Sequence, residues 1–121
     1  MDKSLLAKLL AVPSAVVIGS QRLGLKKCKD YDIAMLKEEF DAGSFEKVIE
    51  EMNKYFDVLP MGNSYLARYY QIDVFLYERE QSLAAVRRVM NKMLALPKSI
   101  MVEKSVRVSI FEGFLKEEKD Y

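Results

Sequence analysis

The sequence predicts an α+β fold, a small mixed β-sheet packed with helices, and three observations predict it. Segments with helical and strand periodicity alternate along the chain. The few Gly and Pro residues, 5 and 3, fall mostly between those segments. Half of the 121 residues are hydrophobic, enough for a modest core. The length fits one domain, 1–121, with a core over about 12–77 and a helical C-terminal part over 78–121.

Asp2 to Ala11 places Leu5, Leu6, Leu9 and Leu10 at helical spacing, and Pro13 ends that helix. Ser14 to Gly19 is nearly all apolar and reads as a buried strand. Ser20 to Leu25 starts a short helix that Gly24 ends, and Lys26 to Lys29 is a basic loop. Asp30 to Leu36 is the second strand. Asp41 to Ser44 reads as a turn with an N-cap. After it, Phe45, Val48, Ile49, Met52 and Phe56 fit one apolar helical face, with Glu46, Lys47, Glu50, Glu51 and Lys54 outward. Val58 and Leu59 start a short strand, Gly62-Asn63 turns, and Tyr65 to Tyr77 is extended with a bend near Gln71. Glu80 to Leu96 is helical, with Leu83, Val86, Met90, Met93 and Leu94 on one face, until Pro97 breaks it. Ser99 to Val102 reads as a turn. Ser105 to Leu115 alternates like a strand at Val106, Val108 and Ile110, yet Val106, Ile110 and Phe114 fit a helix, the preferred reading.

Composition narrows the chemistry. The net charge is +1, from 19 basic and 18 acidic residues, so nucleic-acid binding is not a bulk property, though a local basic patch is open. Cys28 is the one cysteine, which fits a reducing compartment and a cytoplasmic location. No apolar run approaches the ~20 residues of a membrane helix. The apolar stretch Leu5 to Val12 is broken by Lys8, and Ser14 to Gly19 is needed as a strand, so no cleaved leader is expected. Histidine is absent, which removes Ser-His and Cys-His catalysis and makes a zinc site very unfavourable. A metal bound here would be a hard, oxygen-liganded one, Mg2+ or Mn2+.

Three aspartates then carry the functional reading. Asp30 and Asp32 lie in Lys-Asp-Tyr-Asp-Ile, and Asp73 in Gln-Ile-Asp-Val-Phe-Leu. Strand alternation puts Asp30 and Asp32 on one side with Tyr31 opposite. Carboxylates held together repel, and an apolar setting desolvates them; a divalent cation relieves both costs. Gly19 and Ser20 stand at the end of the preceding apolar strand. Gly19 lets backbone amides approach a phosphate, and Ser20 offers a hydroxyl at a helix start. Arg22 is placed to pair with phosphates, and Lys26, Lys27 and Lys29 to steer an anion.

The ordered set resembles the signature of the nucleotidyltransferase superfamily that includes DNA polymerase beta. Ile18-Gly19-Ser20 is followed after nine residues by Asp30-Tyr31-Asp32-Ile33, and Ile72-Asp73-Val74 matches the third acidic position. The Gly19-Ser20-Gln21-Arg22-Leu23-Gly24 run is similar to that of the minimal, single-domain members. The resemblance implies a nucleoside triphosphate substrate, with ATP, CTP, GTP and UTP all open, and one or two Mg2+ (or Mn2+) ions held by Asp30, Asp32 and Asp73. It implies in-line attack on the α-phosphate by an acceptor hydroxyl on a protein, an RNA, a small molecule or another nucleotide, with Asp73 helping to deprotonate it. Small proteins of this kind often act with a protein partner subunit. The alternative is therefore a non-catalytic nucleotide- or partner-binding module, such as the antitoxin-like half of a toxin–antitoxin pair.

Plainer readings stand beside these. Asp30 and Asp32 fit an exposed edge-strand face, Asp73 a charged strand end, and Ser20 a simple N-cap. Arg22 and the lysine loop fit solvated surface. Tyr65, Tyr69 and Tyr70 fit sheet-face packing as well as base stacking, and Met90 and Met93 fit core.

Overall fold

The structure, a computed structural model, describes residues 2–25, 30–49, 51–54 and 64–119. Helix α1 (Lys3–Leu10) is capped by Asp2, whose Oδ1 accepts from the Leu5 amide at 2.9 Å. It buries Leu5 and Leu9. A turn through Pro13 leads to β1 (Val16–Ile18), the one-turn helix α2 (Gly19–Arg22), β2 (Tyr31–Leu36) and α3 (Lys37–Ala42). A hairpin follows β3 (Glu51–Lys54), with β4 (Tyr65–Tyr69) turning through Tyr70 and Gln71 into β5 (Ile72–Tyr77). Helix α4 (Glu80–Leu94), a 3-10 turn (Lys98–Met101) and α5 (Lys104–Lys116) complete the chain.

The α+β reading holds. The strands form one mixed sheet in the order β1-β2-β5-β4-β3. Its centre is parallel: β2 pairs with β5 from Tyr31↔Ile72 to Leu36↔Tyr77. The other pairings are antiparallel. A parallel pair needs a long crossover, and here α3, β3 and β4 lie within it.

Both faces of the sheet are covered. On one, Leu5, Leu9, Ile33, Met35, Phe40, Phe45, Ile72, Val74 and Leu76 pack together. On the other, Ile18, Ala34 and Tyr77 pack against Leu83, Val86, Val89, Met90 and Met93 of α4 and Phe111 and Leu115 of α5. Strand alternation assigns Ile33 and Val74 to the first face, and Asp32 and Asp73 to the second.

Ser14 ties the first turn to three elements. Its amide donates to Glu39 Oε1, its Oγ accepts from the Leu36 amide, and its carbonyl accepts from Arg87 Nη2, each at 2.9 Å. Ser14 is buried, so these bonds satisfy backbone groups that water cannot reach. They fix where β1 begins relative to β2 and α4.

Two expectations need correction. The helix expected from Phe45 to Phe56 is a 3-10 turn, Phe45–Lys47, followed by the edge strand β3. Ser44 does not cap it: its φ is +57°, a left-handed conformation, and its side chain makes no cap hydrogen bond. The reason is tertiary. Phe45 turns back to stack on Phe40, with ring centroids 5.4 Å apart, and residues 51–54 satisfy the backbone of β4. Residues 37–40, given no element from sequence, form α3 together with Asp41 and Ala42, both expected in the turn. Two helix faces are also shifted. Leu94 is 40% exposed while Val89 is buried, and α5 buries Phe111 and Leu115 rather than Val106. The expected hairpin bend, the α4 and α5 helices and the break at Pro97 are all present. The basic loop Lys26 to Lys29, the Val58-Leu59 strand, the Gly62-Asn63 turn and Phe56 lie outside the described residues. No helix among the described residues is long and apolar enough to cross a membrane.

Leu9 is fully buried between α1 and the sheet, so truncation leaves a cavity there. Leu9→Ala is expected to lower the unfolding free energy by about 2–5 kcal/mol. Urea denaturation measures it; a loss under about 1 kcal/mol would show that α1 lies outside the cooperative core.

Candidate functional site

The candidate site forms at the starts of β2 and β5. The parallel register sets Asp32 directly opposite Asp73, and the antiparallel register sets Ile18 opposite Asp32. Gly19, the next residue, therefore passes over the Asp32 carboxylate. Its φ is +66°, and a Cβ there would lie 2.5 Å from Asp32 Oδ2. Both facts require glycine: the backbone is left-handed, and the carboxylate fills the space a side chain needs.

The chain then winds into α2, with the Leu23 amide donating to the Gly19 carbonyl at 3.1 Å and the Leu25 amide to the Ser20 carbonyl at 3.2 Å. Leu23 is buried and anchors this turn to the core. Ser20 is half-buried and Arg22 is exposed. With four residues, α2 has too few aligned peptides for the dipole argument that a longer helix at Ser20 would support.

The acids differ in setting. Asp30 is exposed and precedes β2. Asp32 is half-buried on the α4–α5 face, and its carboxyl is pushed up from 3.8 to about 6. Burial is the main cause; the charges of Asp73 and Asp30 add to it, while Lys104 and Arg107 of α5 oppose it. Asp73 accepts from Arg68 Nε at 3.0 Å. Arg68 on β4 is its direct cross-strand partner. The Arg107 guanidinium also donates to the carbonyls of Met101 and Val102, at 3.0 and 2.8 Å, which locks the turn before α5.

The structure thus brings Asp32, Asp73 and Gly19 together, leaves Asp30 at the rim, and keeps Arg22 on the outer turn. Among the described residues, no three His, Cys, Asp or Glu side chains gather closely enough to hold a metal ion. The donor chemistry fits a hard cation in part. Two carboxylates on adjoining strands repel each other, and burial adds to the cost of charging Asp32. What differs from the sequence expectation is that Asp73 is already paired with a cationic side chain.

Sequence reasoning missed Arg68, Lys104 and Arg107. Arg68 was legible: a hairpin turning at Tyr70 and Gln71 pairs Tyr69 with Ile72 and hence residue 68 with residue 73. The α5 cations reach the site only through tertiary packing. The tyrosines divide: Tyr65 and Tyr69 pack against the α1–α3 side of the core, whereas Tyr70 is 73% exposed with φ +50°.

No protein-family model, no curated protein and no solved structure matches the chain.

The raised Asp32 pKa has a defined sign. Folding favours the protonated carboxyl, so its stabilising contribution is complete below 3.8 and is lost as pH rises through about 6. Removing the charge removes that loss. The stability of Asp32→Asn relative to the parent protein is expected to rise by about 1–3 kcal/mol between about pH 4 and pH 7. Urea unfolding of both proteins across that range checks it; a constant difference would contradict the assigned burial.

Proposed function

We propose that this protein is a metal-dependent nucleotidyltransferase of the cytoplasm. It transfers a nucleoside monophosphate from a nucleoside triphosphate to a hydroxyl acceptor and releases pyrophosphate. The observation that carries this reading is the in-register pairing of Asp32 with Asp73 beneath the Cβ-less Gly19. It supports the sequence resemblance because residues 19, 32 and 73, distant in the chain, meet at one end of the sheet.

In this reading Asp32 and Asp73 hold Mg2+ or Mn2+, and Asp30 approaches from the rim. A cation held there would supply charge neutralisation at the phosphates and a lowered pKa for the attacking hydroxyl. Gly19 presents backbone without a side chain beside Asp32, where its amide would meet a phosphate, and the Ser20 hydroxyl would donate to a phosphate oxygen. Asp73 accepts the acceptor's proton. Lys104 and Arg107, whose charges already reach Asp32, offset the triphosphate's charge, with Arg22 further out.

A second reading is favoured by the Arg68–Asp73 pair. With one acid compensated internally, the same fold would serve as a non-catalytic nucleotide- or partner-binding module, acting beside a partner subunit. Turnover separates the two. Incubation with each α-labelled nucleoside triphosphate, Mg2+ and cell extract is expected to label an acceptor and release pyrophosphate. Asp73→Asn should lower the rate at least about 100-fold while the circular dichroism spectrum persists. Triphosphate binding without any label or pyrophosphate would select the module and reject the transferase.

A further inference from the structure

We propose that the outer face of α5 seats a second copy of this chain, packed antiparallel about a two-fold axis between Ser109 and Ile110. The inference goes beyond the transfer reaction and does not depend on it. Three observations carry it.

The first is an apolar face left in water. Helix α5 turns Phe111 and Leu115 into the core, and Arg107 ties its start to the carbonyls of Met101 and Val102. Helical spacing then sends Val106, Ser109 and Gly113 to the opposite side. Val106 is 37% exposed, and Ile100 and Val102, in the turn leading into the helix, are 42% and 65% exposed. The second is Gly113. It stands inside the helix without a positive φ, and a Cβ there would meet no heavy atom within 4 Å among the described residues. Glycine weakens a helix interior relative to alanine, and no close contact among the described residues calls for it. A neighbouring helix would, because bare backbone lets two axes approach closely.

The third is self-complementarity, which selects the occupant. With the axis between Ser109 and Ile110, Val106 of each copy lies over Gly113 of the other, a side chain against a gap. The same register sets Glu103 against Lys116 at both ends, so opposite charges meet. Both residues are exposed. Lys116 lies 3.0 Å from Glu112 on its own helix, and an exposed pair of that kind is weak enough to share its cation. A parallel pair in register would instead set Glu103 against Glu103, Lys116 against Lys116 and Gly113 against Gly113. Each copy uses the same patch, so the assembly closes at two. Lys104 and Arg107 lie toward Phe111 by helical spacing and stay uncovered on the side that reaches Asp32. A single helix pair is small beside the ~800 Å² per partner of a standard interface, so the dimer is weak, with Kd about 10–100 µM.

The test is sedimentation equilibrium of the full chain at concentrations spanning that Kd, where a reversible monomer–dimer equilibrium is expected. Glu103→Lys or Lys116→Glu alone should weaken it about three- to tenfold, and the two together in one chain should restore it to within about twofold. Gly113→Leu should weaken it at least about tenfold while raising the urea midpoint of the monomer, because leucine is the better helix former; a misfolded variant would not show that rise. A chain that is monomeric throughout overturns the proposal, as do oligomers larger than two. A dimer untouched by Gly113→Leu overturns the assigned face. Equal weakening by the single and double charge variants overturns the antiparallel register. A monomer that captures a different protein from cell extract, and loses it in Gly113→Leu, overturns the second copy as occupant.

Discussion

The parallel pairing of β2 with β5 is the constraint on which the rest of the structure depends. It joins the β1–β2 unit to the β3–β4–β5 meander, and it places residue 32 against residue 73. A parallel ladder in the middle of a sheet is stable when both faces are covered. Here α1 and α3 cover one face, and α4 and α5 the other. One register also sorts the side chains. Ile33 and Val74 go to the α1–α3 core, while Ala34 and Tyr77 go to the α4–α5 core. A slip of β2 by one residue would send Asp32 into the α1–α3 core and expel Ile33 and Met35 from it, which is why so short a pairing has one register.

The same alternation explains how two acids come to share an otherwise apolar face. Asp32 and Asp73 occupy the second rung of the β2–β5 ladder, near the start of both strands, where the start of α5 brings Lys104 and Arg107 within electrostatic reach. Further along that face, Ala34 and Tyr77 are fully buried. The site therefore sits at the boundary between core and solvent. It is buried enough to raise the Asp32 pKa and open enough for Asp73 and Arg68 to keep partial contact with water. A carboxylate pair deeper in the face would be protonated or unfavourable to fold; one farther out would hold a cation weakly.

Much of this was legible in the sequence where local period and tertiary demand agree. Leu5 and Leu9, the hairpin bend near Gln71, and the stop at Pro97 follow from local chemistry, and the structure keeps them. The segment after Ser44 shows the opposite case. Phe45, Val48 and Ile49 satisfy a helical spacing, yet Phe45 gains more by returning to Phe40, and β4 needs an edge partner that residues 51–54 supply. Neither demand is written in the local period. For α5 the helix was readable and its buried face was not, because Phe111 and Leu115 are selected by the angle at which α5 meets α4. Within the site, Gly19, Asp32 and Asp73 were readable as types, and their meeting required the register. Of the compensating cations, Arg68 is written in the hairpin register, whereas Lys104 and Arg107 reach Asp32 only through the packing of α5.

That balance decides what the site can do. A constellation of acids at the right spacing is compatible with both a cation site and an ordinary ion-pair network, because both relieve the same repulsion. Gly19 is neutral between them, because its left-handed backbone and the carboxylate pressed against it require glycine whatever balances the acids. Arg68 favours the second by supplying Asp73 with a cationic partner. The β4–β5 turn therefore has an electrostatic role as well as a structural one, because its register sets Arg68 across from Asp73.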